Sequence, residues 1–177
     1  QVTPADLSAV AVTKGPGSYT GLRIGVSAAK GLAFSLNIPM YSMTSLEVLA
    51  QAPLSVASDE LILAHIDARR MEIYGAFYSS DRGALTDIKA DVVEEDIYAD
   101  VHSGKKVHLA GDAQSKLMEV LPSNYQSTEI EFPSAQFMGK AILAKIIVED
   151  SEDVAYFEPF YLKDFVAGKP KKSPLDF

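Results

Sequence analysis

Apolar and polar positions along the chain follow two periods. Leu7 to Val12 form a short apolar run, which predicts a buried strand over Val10–Thr13. From Thr20 to Leu36 the apolar residues recur at helical spacing. They predict a helix of about four to five turns, stopped by Asn37-Ile38-Pro39. Met40 to Met43 reads as a second short strand. Thr44-x-x-Glu47 has the form of a capping box opening a helix over Leu46–Ala52. After a polar connection, Pro53 to Glu60, the runs Leu61–Asp67 and Glu72–Ser79 flank Ala68-Arg69-Arg70-Met71. They predict an antiparallel hairpin, with Ile88–Val93 as a third strand. A weak helix over Glu94–Asp100, a strand over Lys106–Ala110 and a helix over Ala113–Leu121 follow. Pro133-Ser134 opens a further helix through Glu149, with Phe137, Ala141, Ala144, Ile147 and Val148 at helical spacing. Phe157–Leu162 closes the order as a strand or extended segment. This succession fits a mixed α/β layer.

Composition narrows the chemistry. The chain of 177 residues contains no cysteine, which excludes disulfides, cysteine-ligated zinc and cysteine nucleophiles. No stretch approaches the length of a membrane span. The negative balance behind the net charge of −8 lies wholly after residue 50. An acidic body makes a poor stand-alone binder of phosphate backbones. Residues 165–177 form a basic tail, with Lys169, Lys171 and Lys172 among Gly168, Pro170 and Pro174. Its plain reading is a solvated terminus, and its alternative is a segment that docks on a partner or RNA.

The run Gly15-Pro16-Gly17-Ser18-Tyr19-Thr20-Gly21-Leu22-Arg23-Ile24-Gly25 joins the first strand to the first helix. Such a turn can present backbone N–H groups to an anion. It matches neither G-x-x-x-x-G-K-[ST] nor G-x-G-x-x-G, because Thr20 stands where the third glycine of the latter belongs. The glycines serve equally well for tight turning and close packing. His65, His102 and His108 show no metal-binding spacing, so no metal site is expected. No G-x-S-x-G elbow is present, so no catalytic residue is assigned. Asp67, Arg69, Arg70 and Glu72 form the densest charged cluster. They read either as exposed hairpin-end ion pairs or as an interlobe or partner-facing clasp in which Arg binds a carboxylate or phosphate. Asp112, after Gly111, reads as a helix N-cap. In the first helix, Gly21, Gly25, Ala28, Ala29 and Leu32 form a small-residue face, beside an apolar stripe of Ile24, Ala28, Leu32 and Leu36. The face packs either inside the molecule or against a partner.

The run Gly15 to Ala33 resembles the signature of the TsaB (YeaZ) family. Ile38-Pro39, Thr44-Ser45-Leu46-Glu47, Ile66-Asp67-Ala68-Arg69-Arg70-Met71-Glu72-Ile73-Tyr74, Gly111-Asp112 and Glu158-Pro159-x-Tyr161-Leu162 continue the resemblance from about Leu7 to about Lys163. It implies an α/β, two-lobed actin/Hsp70-like (ASKHA) fold whose first lobe is incomplete here. Members of the family begin with a further hairpin-rich segment and helix, so the chain is expected to be an N-terminally truncated piece. The expected division is residues 1–53 as a remnant of the first lobe, 54–164 as the second, and 165–177 as the tail.

The resemblance implies a non-catalytic, cytoplasmic scaffold and activator in the assembly that installs threonylcarbamoyladenosine on tRNA. It would bind a TsaD-type subunit, work with a TsaE-type ATPase, pair with itself when alone, and meet tRNA only indirectly. The surface it implies is Gly21, Ile24, Gly25, Ala28, Ala29 and Leu32. ATP would be used by the assembly and not bound by the isolated chain. The catalytic relatives hold a metal with a paired-histidine motif, which is missing here. The rival readings are an ASKHA-type kinase, a glycoprotease-like hydrolase and a nucleotide-binding module.

Overall fold

The computed structural model describes residues 3–95 and 97–163. The basic tail expected at 165–177 lies outside the described residues.

The first sheet has two parallel strands, β1 (Val10–Thr13) and β2 (Met40–Met43), in the register Val10↔Met40 to Thr13↔Met43. The crossover between them is α1 (Tyr19–Leu36). Ser18 caps α1 by accepting the Gly21 N–H at 3.3 Å, and Asn37 ends it in the left-handed region at φ 52°, a conformation asparagine tolerates well. Val10 and Val12 point toward α1 and pack with Val26, Ala29, Ala33, Met40 and Phe157. Tyr41 and Met43 point to the other face, where Val48, Met138 and Ile142 meet them. β1 corrects the expectation of a buried strand: Ala11 is exposed and its neighbours are half-buried. The reason is that β1 pairs with β2 alone among the described residues.

Helix α2 (Ser45–Ala50) begins at the expected capping box. Thr44 Oγ1 accepts the Glu47 N–H at 3.1 Å, and Glu47 Oε2 accepts the Thr44 N–H at 2.6 Å. Its face of Leu46, Leu49 and Ala50 packs on Ile62, Ala64, Ala76, Tyr78 and Ala110 of the second sheet. Packing therefore crosses residue 53 continuously.

The second sheet contains β3 (Leu61–Asp67), β4 (Glu72–Ser79), β5 (Lys89–Val92), β6 (Val107–Gly111) and β7 (Tyr125–Gln126), in the order β5-β4-β3-β6-β7. β3 is antiparallel to β4 and parallel to β6. It is buried on both faces, which explains its nearly continuous apolar sequence. Ile62 and Ala64 meet α2, while Leu61 and Leu63 join Ile73, Phe77, Leu109 and Leu117 opposite.

Several helices are shorter than their patterns suggest. The expected helix at 94–100 is replaced by α3 (Ala99–His102). Tyr98 anchors the segment before it, with its ring 5.1 Å from Phe77 and its hydroxyl donating to Asp91 at 3.1 Å. The next helix contracts to α4 (Gln114–Met118). The long final helix splits into a 3₁₀ turn (Ala135–Phe137) and α5 (Gly139–Ile147), where Gly139, a poor interior helix former, opens the α-helical part. α5 returns to the first sheet and packs on β2 through Ile142. Residues 157–162 form an extended segment, not a strand.

At the start of β6 a part-buried pair supplies the first prediction. His108 Nε2 lies 2.6 Å from Glu60 Oε2, and Lys106 lies 3.3 Å from the other carboxylate oxygen. The His108 contact and the Ala57 N–H, helped by Lys106, hold the Glu60 carboxyl down at about 2, from an ordinary 4.5. Because the folded value lies below the unfolded one, the contribution is complete above about pH 4.5 and is lost as pH falls through about 2. Glu60→Gln is expected to flatten the acid limb of melting temperature against pH across that window. An unchanged limb would remove Glu60 from the account of acid sensitivity.

Candidate partner surface and cleft

The α1 face comes first. Leu22, Val26, Ala29 and Ala33 form the inward stripe, at i, i+4, i+7, i+11 spacing. The opposite side presents Gly21, Ile24, Ala28 and Leu32 to solvent, with Gly25 half-buried beside β1. Ile24 is 66% exposed and Leu32 is 42% exposed. Five of the six residues expected on one surface are thus brought together. Ala29 corrects the sixth: it is 5% exposed, because it belongs to the stripe that meets β2. A Cβ at Gly25 would have Val12 Cγ2 as its nearest neighbour at 4.0 Å, and one at Gly31 would meet nothing within 4 Å. The chain's own packing therefore does not require either glycine.

The N-terminal end of α1 faces the β3–β4 connection across a cleft of about 490 Å³. Gly17 to Thr20 form one wall, and Ile66 to Arg69, Tyr74 and Asp112 form the other. Arg69 and Arg70 both lie in the left-handed region, at φ 72° and 54°, which costs a non-glycine residue about 1–2 kcal/mol. A hydrogen-bonded frame holds this turn. Asp67 Oδ1 accepts the Arg69 N–H at 2.6 Å, and Asp112 Oδ1 accepts the Asp67 N–H at 2.7 Å. Lys116 Nζ donates to Asp67 Oδ1, the Arg70 carbonyl and the Glu72 carbonyl at 2.6, 3.0 and 2.8 Å. Lys116, together with the Arg69 N–H, holds the Asp67 carboxyl below the usual carboxylate range.

Two expectations are corrected here. Asp112 does not cap a helix, since Ala113 occupies the N-cap position of α4; its carboxylate fixes Asp67 instead. The charged cluster is not internally paired. Asp67 pairs with Lys116 and Glu72 with Lys163, and neither arginine pairs with an acid among the described residues. Lys116 is the residue that sequence reasoning missed, because nothing local marks it.

The strained turn gives a second prediction. Replacing Arg70 by glycine removes the left-handed penalty, partly offset by the added freedom of the unfolded chain. Arg70→Gly is expected to raise stability by up to about 1 kcal/mol, read by urea denaturation. A clear loss would mean that the arginine side chain itself holds the turn.

Comparison with known proteins then decides the family. The family model described as "TsaD: tRNA N6-adenosine threonylcarbamoyltransferase" matches residues 1–157. Two proteins named "tRNA threonylcarbamoyladenosine biosynthesis protein TsaB" are similar. The one from Bacillus subtilis is 47% identical over 90 residues, covering 51% of this chain and 38% of that protein. The one from Escherichia coli is 29% identical over 171 residues, covering 93% and 74%. The chain belongs to this family and groups with TsaB (YeaZ). "YeaZ from Pseudomonas aeruginosa" superposes with a TM-score of 0.77 at 24% identity, over 91% of this chain and 76% of that one. A second Pseudomonas aeruginosa structure, called an uncharacterized protein with similarity to peptidase YEAZ, gives a TM-score of 0.75. The fold is the ASKHA-like α/β arrangement of TsaB/YeaZ.

Within this TsaB-like frame all three histidines, His65, His102 and His108, are buried. His65 is fully buried on β3, and burial, reinforced by the Lys116 charge, pushes its pKa down to about 3. The Ser18 hydroxyl is engaged as the cap of α1. Among the described residues no group of three His, Asp or Glu side chains is placed to hold a metal ion, and no helix is long and apolar enough to cross a membrane.

Proposed function

We propose that the chain is a scaffold and activator subunit, without catalysis of its own, in the assembly that makes threonylcarbamoyladenosine on tRNA. It acts by binding a TsaD-type partner through the outer face of α1. The observation that carries this reading is that face itself: Gly21, Ile24, Ala28 and Leu32 are presented outward with Gly25 half-buried at its edge, and the chain's own packing does not need the mid-helix glycines Gly25 and Gly31. Each such glycine costs about 1 kcal/mol relative to alanine, and close approach of a second backbone is what small residues permit. The names of the TsaB relatives supply the pathway. The acidic charge supports indirect contact with tRNA, through the partner.

In this reading the chain works in the cytoplasm, a TsaE-type ATPase joins the complex and uses ATP, and the free subunit pairs with itself through the same α1 face. The peptidase likeness in one neighbour's description gains no support from the cleft, where Ser18 serves as the cap of α1 and whose lining does not include the buried His65.

The test is co-purification of the full gene product with a tagged TsaD-type subunit. Recovery at one-to-one stoichiometry supports the scaffold, and two separate peaks at micromolar concentration reject it. A third prediction addresses the kinase-like and nucleotide-module rivals: calorimetric titration of the isolated protein with ATP is expected to show no binding tighter than about 1 mM. A micromolar constant would revive them.

A further inference from the structure

Residues 158–163 run from α1 to the β3–β4 turn, and their two ends are held very differently. On the first-lobe side the hold is broad. The Phe160 N–H donates to the Lys14 carbonyl at 2.6 Å. The Tyr161 ring lies 5.0 Å from the Tyr19 ring, and Arg23 Nε donates to the Tyr161 hydroxyl at 3.3 Å. Just upstream, Lys30 donates to the carbonyls of Ala155 and Phe157 at 3.2 and 2.9 Å, and Phe157 is buried under α1. Gly15 makes the seat possible: its φ is 117°, and a Cβ there would stand 2.5 Å from the Phe160 carbonyl oxygen.

On the second-lobe side, among the described residues, the hold is the pair of Lys163 with Glu72. Both side chains are partly exposed, and such a pair contributes about 0–1 kcal/mol and is screened by salt. Beneath the segment lies a cavity of about 370 Å³ whose lining includes Tyr19, Arg69, Tyr74, Phe160, Tyr161 and Lys163.

We propose that residues 158–163 are a strap, anchored on the first lobe and latched to the β3–β4 turn by Lys163 and Glu72. Release of the latch uncovers Arg69 while the anchored end stays seated. The asymmetry sets the direction of opening: among the described residues one weak ion pair holds one end, and several buried or hydrogen-bonded contacts hold the other. The inference concerns the motion of the chain and stands apart from the scaffold reading.

The test is amide hydrogen exchange on the full protein, read at residues 68–72 and 161–163. Lys163→Glu is expected to speed exchange at both segments by up to about fivefold, leaving the Phe160 amide and the melting temperature unchanged. Adding Glu72→Lys to it restores the latch with reversed charges and returns exchange to the starting rate. Lys163→Arg keeps the latch and the original rate, which guards against failure of the double variant to fold. Exchange unchanged in Lys163→Glu would overturn the proposal. So would faster exchange that the reversed pair does not restore when Lys163→Arg behaves as the parent, or an opening centred on Phe160.

Discussion

Gly25→Leu is expected to leave the fold intact and to abolish binding of a TsaD-type partner. An added Cβ meets no clash in the isolated subunit, since its nearest neighbour, Val12 Cγ2, lies at 4.0 Å. Replacing a helical glycine also recovers up to about 1 kcal/mol of helix propensity. The melting temperature should therefore hold or rise. In the complex the same leucine would stand between two helices that small residues allow to approach. A loss of at least roughly 100-fold in affinity, about 3 kcal/mol, is expected in a pull-down or titration. A core position would behave the other way, losing about 1–3 kcal/mol of stability through overpacking. Lost stability with partner binding retained would move this face into the interior and remove the interface assignment.

Gly111→Ala is expected to prevent folding. Gly111 ends β6 opposite His65 of β3 at φ 151°, and a Cβ there would stand 1.8 Å from the His65 carbonyl oxygen and 2.5 Å from its imidazole Nδ1. Neither neighbour can retreat easily, because His65 is fully buried between the α2 layer and the opposite core. Relief requires parting the two central strands of the second sheet, so the loss should exceed about 4 kcal/mol, in the range reserved for severe backbone clashes. Soluble expression and circular dichroism would check this. A well-folded Gly111→Ala protein with a near-parental melting temperature would show that β3 and β6 are less tightly apposed than described.

The two predictions differ in how far sequence alone reaches. Both strands of the β3–β4 hairpin, and the capping box of α2, were legible because their signals are local: alternation, a turn, and a Thr–Glu pair three residues apart. The family run also carried the fold class. The frame around Arg69 and Arg70 was not legible. Lys116 lies 49 residues from Asp67, and Lys163 lies 91 residues from Glu72, so no spacing rule points from one to the other. Asp112 looked like a cap because Gly-Asp before a helix usually is one, yet its carboxylate turns to the Asp67 amide. The burial of Ala29 and the exposure of Ala11 depend on which neighbours the strands and helices meet. β7 is two residues long and leaves no periodic trace.

The central claim is that this protein activates a partner and does not perform the transfer itself. The most direct measurement is the formation of threonylcarbamoyladenosine on tRNA by a purified TsaD-type enzyme with its TsaE-type ATPase, threonylcarbamoyl-adenylate and ATP, with and without the full gene product. The account predicts no product from this protein alone, and product from the enzyme that rises with this protein to a one-to-one plateau. Product formed by this protein alone, or an unchanged rate when it is added, would contradict the account.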